Sequence, residues 1–469
     1  MLYSRFTHKF SIGNDVAFYN SLRMKPIFVT KDKYEKIECF LSQNTTGQPL
    51  EVPRDIELEI QELLKYKILI DSTEKDEKIL SYVKSKLSDP EISVCYFILS
   101  EQCNLACKYC FLGNNNKEQR KKFAKELMSK ETAEKGVYFF LKQLESVEYN
   151  PNKKPVVIFY GGEPLMNFEV LEFIVKKLNS LKSAHKVLEN IEYSMVSNGL
   201  LLSEDRILRL QNLGVSIAIS IDGCDEASNA MRVDLNGNIV FPKIIKTLDL
   251  AKKLSVPVSL SITLTEETIK RQSAVIELIK KYNIKGLGFN IMMGDHRYPL
   301  PLDYNDNAAQ FIIDVFKQLR VMGVYEDRIM RKLKSFAKAQ VYFSDCAATS
   351  AGQIVIAADG AVGICHGCLA DRKYFNSSVN DPKFDSRKNP VWQEWNHLSP
   401  IEKRECQNCE ALGICGGGCP INAMSEHPGN TIHSLDERFC IHAKKTLEFF
   451  ISDLHRVITG EENSCKKIL

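Results

Sequence analysis

The chain has 469 residues, 44% of them hydrophobic and 26% charged. That composition fits an ordinary globular protein and excludes collagen-like, low-complexity and wholly disordered chains, while the length points to two or three domains of ~100 to 200 residues. Lysine and arginine number 62 against 59 acidic residues, and a net charge of +3 leaves no electrostatic footprint for nucleic acid.

Residues 1–90 are rich in lysine and glutamate. Strand-like segments around DVAFYNSL and KPIFVT, helical stretches near 31–43 and 54–65 and a short KILI strand predict a small α+β module. The opening MLYSRFTHKFSIGND lacks the apolar centre of a signal peptide, and no window approaches the roughly 20 apolar residues of a spanning helix. A cytoplasmic protein with no membrane partner is expected.

From Val94 the texture changes. Six apolar runs, VCYFILS, PVVIFYGG, IEYSMVSNG, VSIAISID, PVSLSITL and IKGLGFNIMM, alternate with helical patterns near 130–145, 168–182, 203–213, 242–254 and 269–281. Parallel strands need crossover helices, and a sheet buried on both faces reads as continuous apolar runs, so residues 91–310 are expected to form an α/β unit with a parallel sheet. Periodicity leaves open whether the sheet closes on itself. A further helix near 305–322 and the basic stretch RIMRKLKSFAK fill a helical linker, 311–345. Residues 346–469 form a cysteine-rich tail, organised by bound clusters more than by apolar mass and ending in the helix IHAKKTLEFFISDLHRVI.

Fifteen cysteines in a chain without an export signal suggest metal binding in preference to disulfides. Cys103, Cys107 and Cys110 form a C-x3-C-x2-C run just after the first apolar strand. Three thiolates at this spacing can hold one face of a [4Fe-4S] cluster and leave its fourth iron open for a ligand. A zinc site lacking a ligand, or unrelated loop cysteines, are the blander readings. The strand-end position, where α/β sheets bind ligands, favours the first.

With aromatic Tyr109 before its last cysteine, the run resembles the signature of radical S-adenosylmethionine (radical SAM) enzymes. The resemblance implies a partial (β/α)6 TIM-like barrel and an open iron that chelates S-adenosyl-L-methionine. One electron then cleaves the sulfonium to a 5′-deoxyadenosyl radical, which takes a hydrogen atom from substrate. Gly161, Gly162, Glu163 and Pro164 follow the second strand; two glycines allow close backbone approach and the carboxylate can accept from an ammonium, although GGEP alone would be an ordinary turn. At about 50 residues beyond the cysteines it resembles the family motif for the methionine amino group. Ser197 and Asn198 end the third strand and Ser220 the fourth, either as ligand contacts or as strand-end caps. In the peptide-modifying branch, residues like Ser220 and Arg232 contact the cofactor's ribose and carboxylate. Thr263 and Asn290 extend the same rim on strands five and six.

The tail places Cys346, Cys365, Cys406, Cys409, Cys415, Cys419 and Cys440 in a set too large for one site. Two iron-sulfur centres or two zinc knuckles both suit it. The spacing resembles the SPASM domain, the auxiliary-cluster module of radical SAM enzymes acting on peptides and proteins. The resemblance implies three [4Fe-4S] clusters in all. Cys406, Cys409, Cys415 and Cys440 would hold one auxiliary cluster, and Cys346, Cys365 and Cys419 part of the other. The stretch AATSAGQ after Cys346 lacks the extra cysteine found in many relatives, so that cluster either keeps an open iron or takes Cys368 as its fourth ligand. His366 stands where anaerobic sulfatase-maturating enzymes carry a proton-accepting aspartate. It is a candidate proton acceptor or a hydrogen-bond donor beside the cluster. Cys39, Cys95, Cys224 and Cys465 are assigned no chemistry.

The N-terminal module loosely resembles the winged-helix-like leader-recognition element of peptide maturases, and a structural cap on the barrel is an equal alternative. Together these readings imply a maturase forming an intrapeptide thioether in a ribosomal precursor peptide, leader plus core, with an external one-electron reductant such as flavodoxin or ferredoxin. Carbon-carbon crosslinking, epimerisation and formylglycine formation on a sulfatase are the enzymatic alternatives. A non-catalytic iron-sulfur relay or peptide-binding protein is the non-enzymatic one.

Overall fold

The structure, a computed structural model, describes residues 1–43, 51–110, 112, 127–294 and 298–460. Cys465 lies outside the described residues. At the N-terminus β1 (Leu2–Tyr3) pairs with β5 (Leu69–Ile70), and β2 (Thr7–Ile12), β3 (Asp15–Asn20) and β4 (Ile27–Thr30) form an antiparallel meander. Alternation sends the β3 side chains to two places. Val16 and Phe18 pack with Ile37, Phe40, Ile60 and Leu63 from the helices Lys31–Gln43 and Glu57–Lys65. Ala17 and Tyr19 turn into the main core, where Tyr19 stacks on Phe336 at 6.3 Å. A third helix, Glu74–Lys84, follows β5.

Six parallel strands follow in chain order: β6 (Val94–Ser100), β7 (Val156–Gly161), β8 (Glu192–Ser197), β9 (Val215–Ile221), β10 (Val258–Leu264) and β11 (Gly286–Ile291). Each coincides with one of the apolar runs. Their outer face is buried beneath helices and includes Phe97, Val157, Phe159, Met195, Ile217, Ile262 and Phe289. The inner face departs from the expected burial on both sides. Ser194, Ala218, Ser220, Ser261, Thr263 and Asn290 alternate with those core residues and stay partly exposed. A filled barrel places bulky branched side chains at such positions. Small side chains at these positions leave that part of the sheet face uncovered.

The sheet does not end at the expected domain boundary. On one edge β12 (Tyr325–Glu326) adds to β11, and on the other β13 (Gln353–Ile356) runs parallel to β6. β14 (Ala361–Gly363) and β15 (Phe375–Ser378) extend the sheet to ten strands, so the tail continues the parallel sheet's hydrogen-bond ladder. The tail also has apolar mass of its own, against expectation. Trp392, Trp395, Ile401 and Ile414 are fully buried, and the Trp392 indole donates to the Gln353 carbonyl at 2.9 Å. No helix among the described residues is long and apolar enough to cross a membrane.

Candidate active site

Strand β6 delivers the chain to Ser100, Gln102 and the three cysteines. At Gly161, whose φ is +145°, a Cβ would lie 2.2 Å from the Ser100 carbonyl oxygen, and at Gly162 one would lie 2.2 Å from that of Gln102. Without side chains there, the Gly162 amide donates to Ser100 (2.8 Å) and the Glu163 amide to Gln102 (2.9 Å). The close approach that two glycines permit is made by the cysteine loop's own backbone. Glu163 is fully buried. Its Oε1 accepts from Ser197 Oγ (2.8 Å) and the Leu165 amide (3.1 Å), and its Oε2 from the Asn198 amide (2.9 Å). Burial raises this carboxyl above its ordinary pKa, against the pull of those donors. Pro164 opens the short 3-10 turn that the carboxylate caps.

Asn198 closes the circuit: its Nδ2 donates to Asn104 Oδ1 at 2.8 Å and its Oδ1 accepts from the Leu200 amide at 3.0 Å. The ends of β6, β7 and β8 are thus stitched into one polar network that fixes the cysteine loop. Across the loop the Tyr109 hydroxyl donates to Asp222 Oδ1 (2.5 Å). Arg232 Nη2 donates to both the Tyr109 oxygen (2.6 Å) and Asp222 Oδ1 (2.8 Å). Arg232 and Asp222 are both buried, and Asp222 Oδ2 has no hydrogen-bond partner among the described residues. Asp222 is the residue that motif reading passed over. Asp222 ends the apolar run VSIAISID, which held the signal, but its pairing with Tyr109 spans 113 positions.

Burial pushes the Cys103 thiol up to about 12 and the Cys107 thiol up to about 11, and neighbouring thiols of the run add to both. Free thiols there are neutral at ordinary pH, so a metal centre must displace their protons. Among the described residues no three His, Cys, Asp or Glu side chains close around a single ion. An iron-sulfur core is polynuclear, and its thiolates need not meet at one point. Three soft donors on one loop, held by a rigid network at a strand end, fit such a core.

Ser220, Thr263 and Asn290 lie on the partly exposed inner face, with Ser220 beside Ser261 and Thr263 beside Asn290 in register. Asn290 donates to Ser261 Oγ (3.0 Å) and accepts from Arg328 Nη2 (3.2 Å), so it is tied to the linker helix Asp327–Lys338. At the rim a cavity of about 360 Å³ is lined by Lys108, Met231, Glu266, Met292, Tyr298 and Leu300, among others.

The tail cysteines fall into two neighbourhoods. The thiols of Cys406, Cys409, Cys415 and Cys440 act on one another, as do those of Cys346 and Cys365, with Cys419 facing Cys365. Cys368 is buried with its thiol against that of Cys365. His366 is stacked on Tyr96 (centroids 4.7 Å apart, 20° between planes) and tilted against Tyr160 (4.9 Å, 56°). Burial lowers its imidazole to about 4. Tyr160 lies within electrostatic range of Cys103 and Cys110, and Tyr96 within that of Cys346 and Cys365, so this aromatic sandwich sits between the loop cysteines and the first tail group.

Residues 97–279 match the Radical SAM superfamily. The chain carries a radical SAM domain across those residues, and the protein is an enzyme. It is 25% identical over 366 residues to the radical SAM cyclopropyl synthase TigE of Paramaledivibacter caminithermalis, covering 75% of this chain and 72% of that protein. It is also 25% identical over 375 residues to a cysteine-type anaerobic sulfatase-maturating enzyme of Clostridium novyi, covering 76% and 94%. Its fold is similar to native anSMEcpe with bound AdoMet (TM-score 0.61, 23% identity, 79% of this chain and 100% of that one). Similarity extends to Streptococcus suis SuiB bound to precursor peptide SuiA (TM-score 0.52, 14% identity, 93% and 99%). These enzymatic relatives set aside the non-catalytic reading.

Proposed function

We propose that the protein is a cytoplasmic peptide maturase that forms an intrapeptide thioether in a ribosomally made precursor. The observation that carries this reading is the pair of cysteine groups beyond the loop, one of them set across the Tyr96–His366–Tyr160 sandwich from the loop. Cys103, Cys107 and Cys110 would hold the cluster that binds S-adenosyl-L-methionine. Cys346, Cys365, Cys419 and Cys368 would hold one auxiliary cluster, and Cys406, Cys409, Cys415 and Cys440 the other. When bound, these groups supply a 5′-deoxyadenosyl radical that removes one hydrogen atom from a substrate carbon, and an acceptor for the electron left when sulfur closes onto that carbon.

The chain's own residues supply the rest. The uncovered inner face of the sheet, with Ser194, Ala218, Ser220, Ser261 and Thr263 in place of bulky side chains, offers room for an extended peptide. Glu163 has three of its carboxylate positions filled by Ser197, Leu165 and Asn198, which leaves one for the cofactor's ammonium. Arg232, held by Asp222 and Tyr109, is the cation for its carboxylate. His366 is the candidate acceptor for the proton released by the substrate thiol, but burial that lowers its imidazole to about 4 opposes that role and favours packing between Tyr96 and Tyr160. The substrate thus loses two hydrogens in all, one as an atom and one as a proton plus an electron. In the N-terminal module β2 and β4 each pair only with β3 among the described strands, and such a free edge can add a leader strand. An external one-electron reductant such as flavodoxin or ferredoxin starts the cycle.

A second reading, formylglycine formation on a sulfatase, is supported by identity to the Clostridium novyi enzyme over most of that enzyme's length. Incubating the reduced, iron-loaded enzyme with a cysteine-containing precursor peptide and, separately, with a sulfatase-motif peptide decides between them. A precursor lighter by two hydrogens supports crosslinking; formylglycine in the sulfatase peptide overturns it.

A further inference from the structure

The basic stretch of the linker helix goes inward. Lys332 is fully buried, with Nζ 3.4 Å from Asp345 Oδ1 and 3.2 Å from the Cys415 carbonyl oxygen. Asp345 is shared: Arg328 Nη1 reaches its Oδ2 at 3.0 Å and Arg331 lies 4.0 Å from its Oδ1. Near the same cysteines stands Lys403, only 8% exposed. Its Nζ donates to the Ser434 carbonyl oxygen at 2.9 Å, and among the described residues no carboxylate comes within ion-pair distance of it. Its charge faces Cys406, Cys415 and Cys440. Lys332, whose ammonium donates to the Cys415 carbonyl oxygen, acts on that residue's thiol as well.

An ammonium buried without a counter-ion costs several kcal/mol, and lysine is almost never found so placed unless paired. Neutral thiols cannot serve as its partner. Four thiolates around an iron-sulfur core can, because such a centre carries net negative charge, and charge near the core is one of the terms that sets its potential. We propose that Lys403 and Lys332 are built-in counter-cations of an anionic centre on Cys406, Cys409, Cys415 and Cys440, and that they hold its reduction potential above the value it would have without them. This rests on the reading that the tail holds iron-sulfur clusters.

The test is a redox titration of full-length, iron-loaded protein followed by electron paramagnetic resonance, comparing wild type with Lys403→Met, Lys332→Met and Lys403→Arg. Each methionine variant should change the reduced-to-oxidised ratio of one tail centre at least tenfold at fixed potential, toward oxidised, equal to about 59 mV for a one-electron couple. The arginine variant should restore most of that, with the loop centre unmoved. Unchanged potentials in loaded variants overturn the proposal. A wild type whose iron accounts for the loop centre alone overturns the reading beneath it. Thermal unfolding gives a second readout: Lys403→Met should stabilise the iron-free chain and destabilise the loaded one. Loss of stability in both states, or failure to fold, would mark the lysine as a packing residue only.

Discussion

Asp222 and Arg232 lie 10 positions apart and make one buried pair whose second carboxylate oxygen has no hydrogen-bond partner among the described residues. Removing one member of a buried pair strands the other's charge, which typically costs about 3 to 5 kcal/mol. Asp222→Ala should lose stability of that order in urea unfolding, and it should weaken S-adenosyl-L-methionine binding because Arg232 loses its anchor. Gly162→Ala acts at the other side of the loop. Its Cβ would meet the Gln102 carbonyl carbon at 2.5 Å, contact that only a backbone shift relieves. Overpacking of this kind costs about 1 to 3 kcal/mol, and iron analysis should show the loop centre lost ahead of the tail centres. At this scale the cysteine runs and GGEP were legible because each is a contiguous motif in the sequence, although the Glu163 carboxylate's partners Ser197 and Asn198 lie 34 and 35 positions away. The Asp222–Tyr109 bond and the Tyr96–His366–Tyr160 sandwich were not, since they join side chains from distant strand ends.

Elements were read well where length and period agree, as in the six parallel strands, and less well where burial depends on a neighbour. Periodicity cannot show that small inner-face side chains such as Ser194 and Ala218 leave that part of the sheet face uncovered. Nor could the tail sequence QIVI announce a strand pairing with β6, because that register is non-local. The linker helix Asp327–Lys338 carries a test of its own. Glu326, fully buried, caps it by accepting from the Arg328 amide (3.0 Å) and the Ile329 amide (2.8 Å). Burial raises its carboxyl to about 7 from 4.5. The folded state therefore holds this proton more tightly than the unfolded one. Its stabilising contribution is complete below about pH 4.5 and is lost as pH rises through about 7, a change on the order of 3 kcal/mol. Chemical denaturation across that range should show a shallower fall for Glu326→Gln than for wild type. An identical slope would mean the carboxyl does not titrate there.

Over the whole molecule, a ten-stranded sheet joins the six parallel strands to the tail, and the N-terminal sheet is pinned to both the linker and the last helix. Tyr19 stacks on Phe336, and His455 bonds Asp15 at 2.8 Å. The loop cysteines, the rim cavity and the tail cysteines are accordingly held in one body. Truncating the chain before Cys346 should therefore expose the β6 edge and give insoluble protein, which expression and fractionation would show. The account stands or falls on radical chemistry at the loop cysteines being spent on a peptide. The direct measurement follows 5′-deoxyadenosine and peptide mass together in an anaerobic reaction of the iron-loaded enzyme with its precursor. The two products should rise in step, the peptide lighter by two hydrogens, and both should vanish in Cys107→Ala. Accumulation of 5′-deoxyadenosine over an unchanged peptide, or its persistence in that variant, would contradict the account.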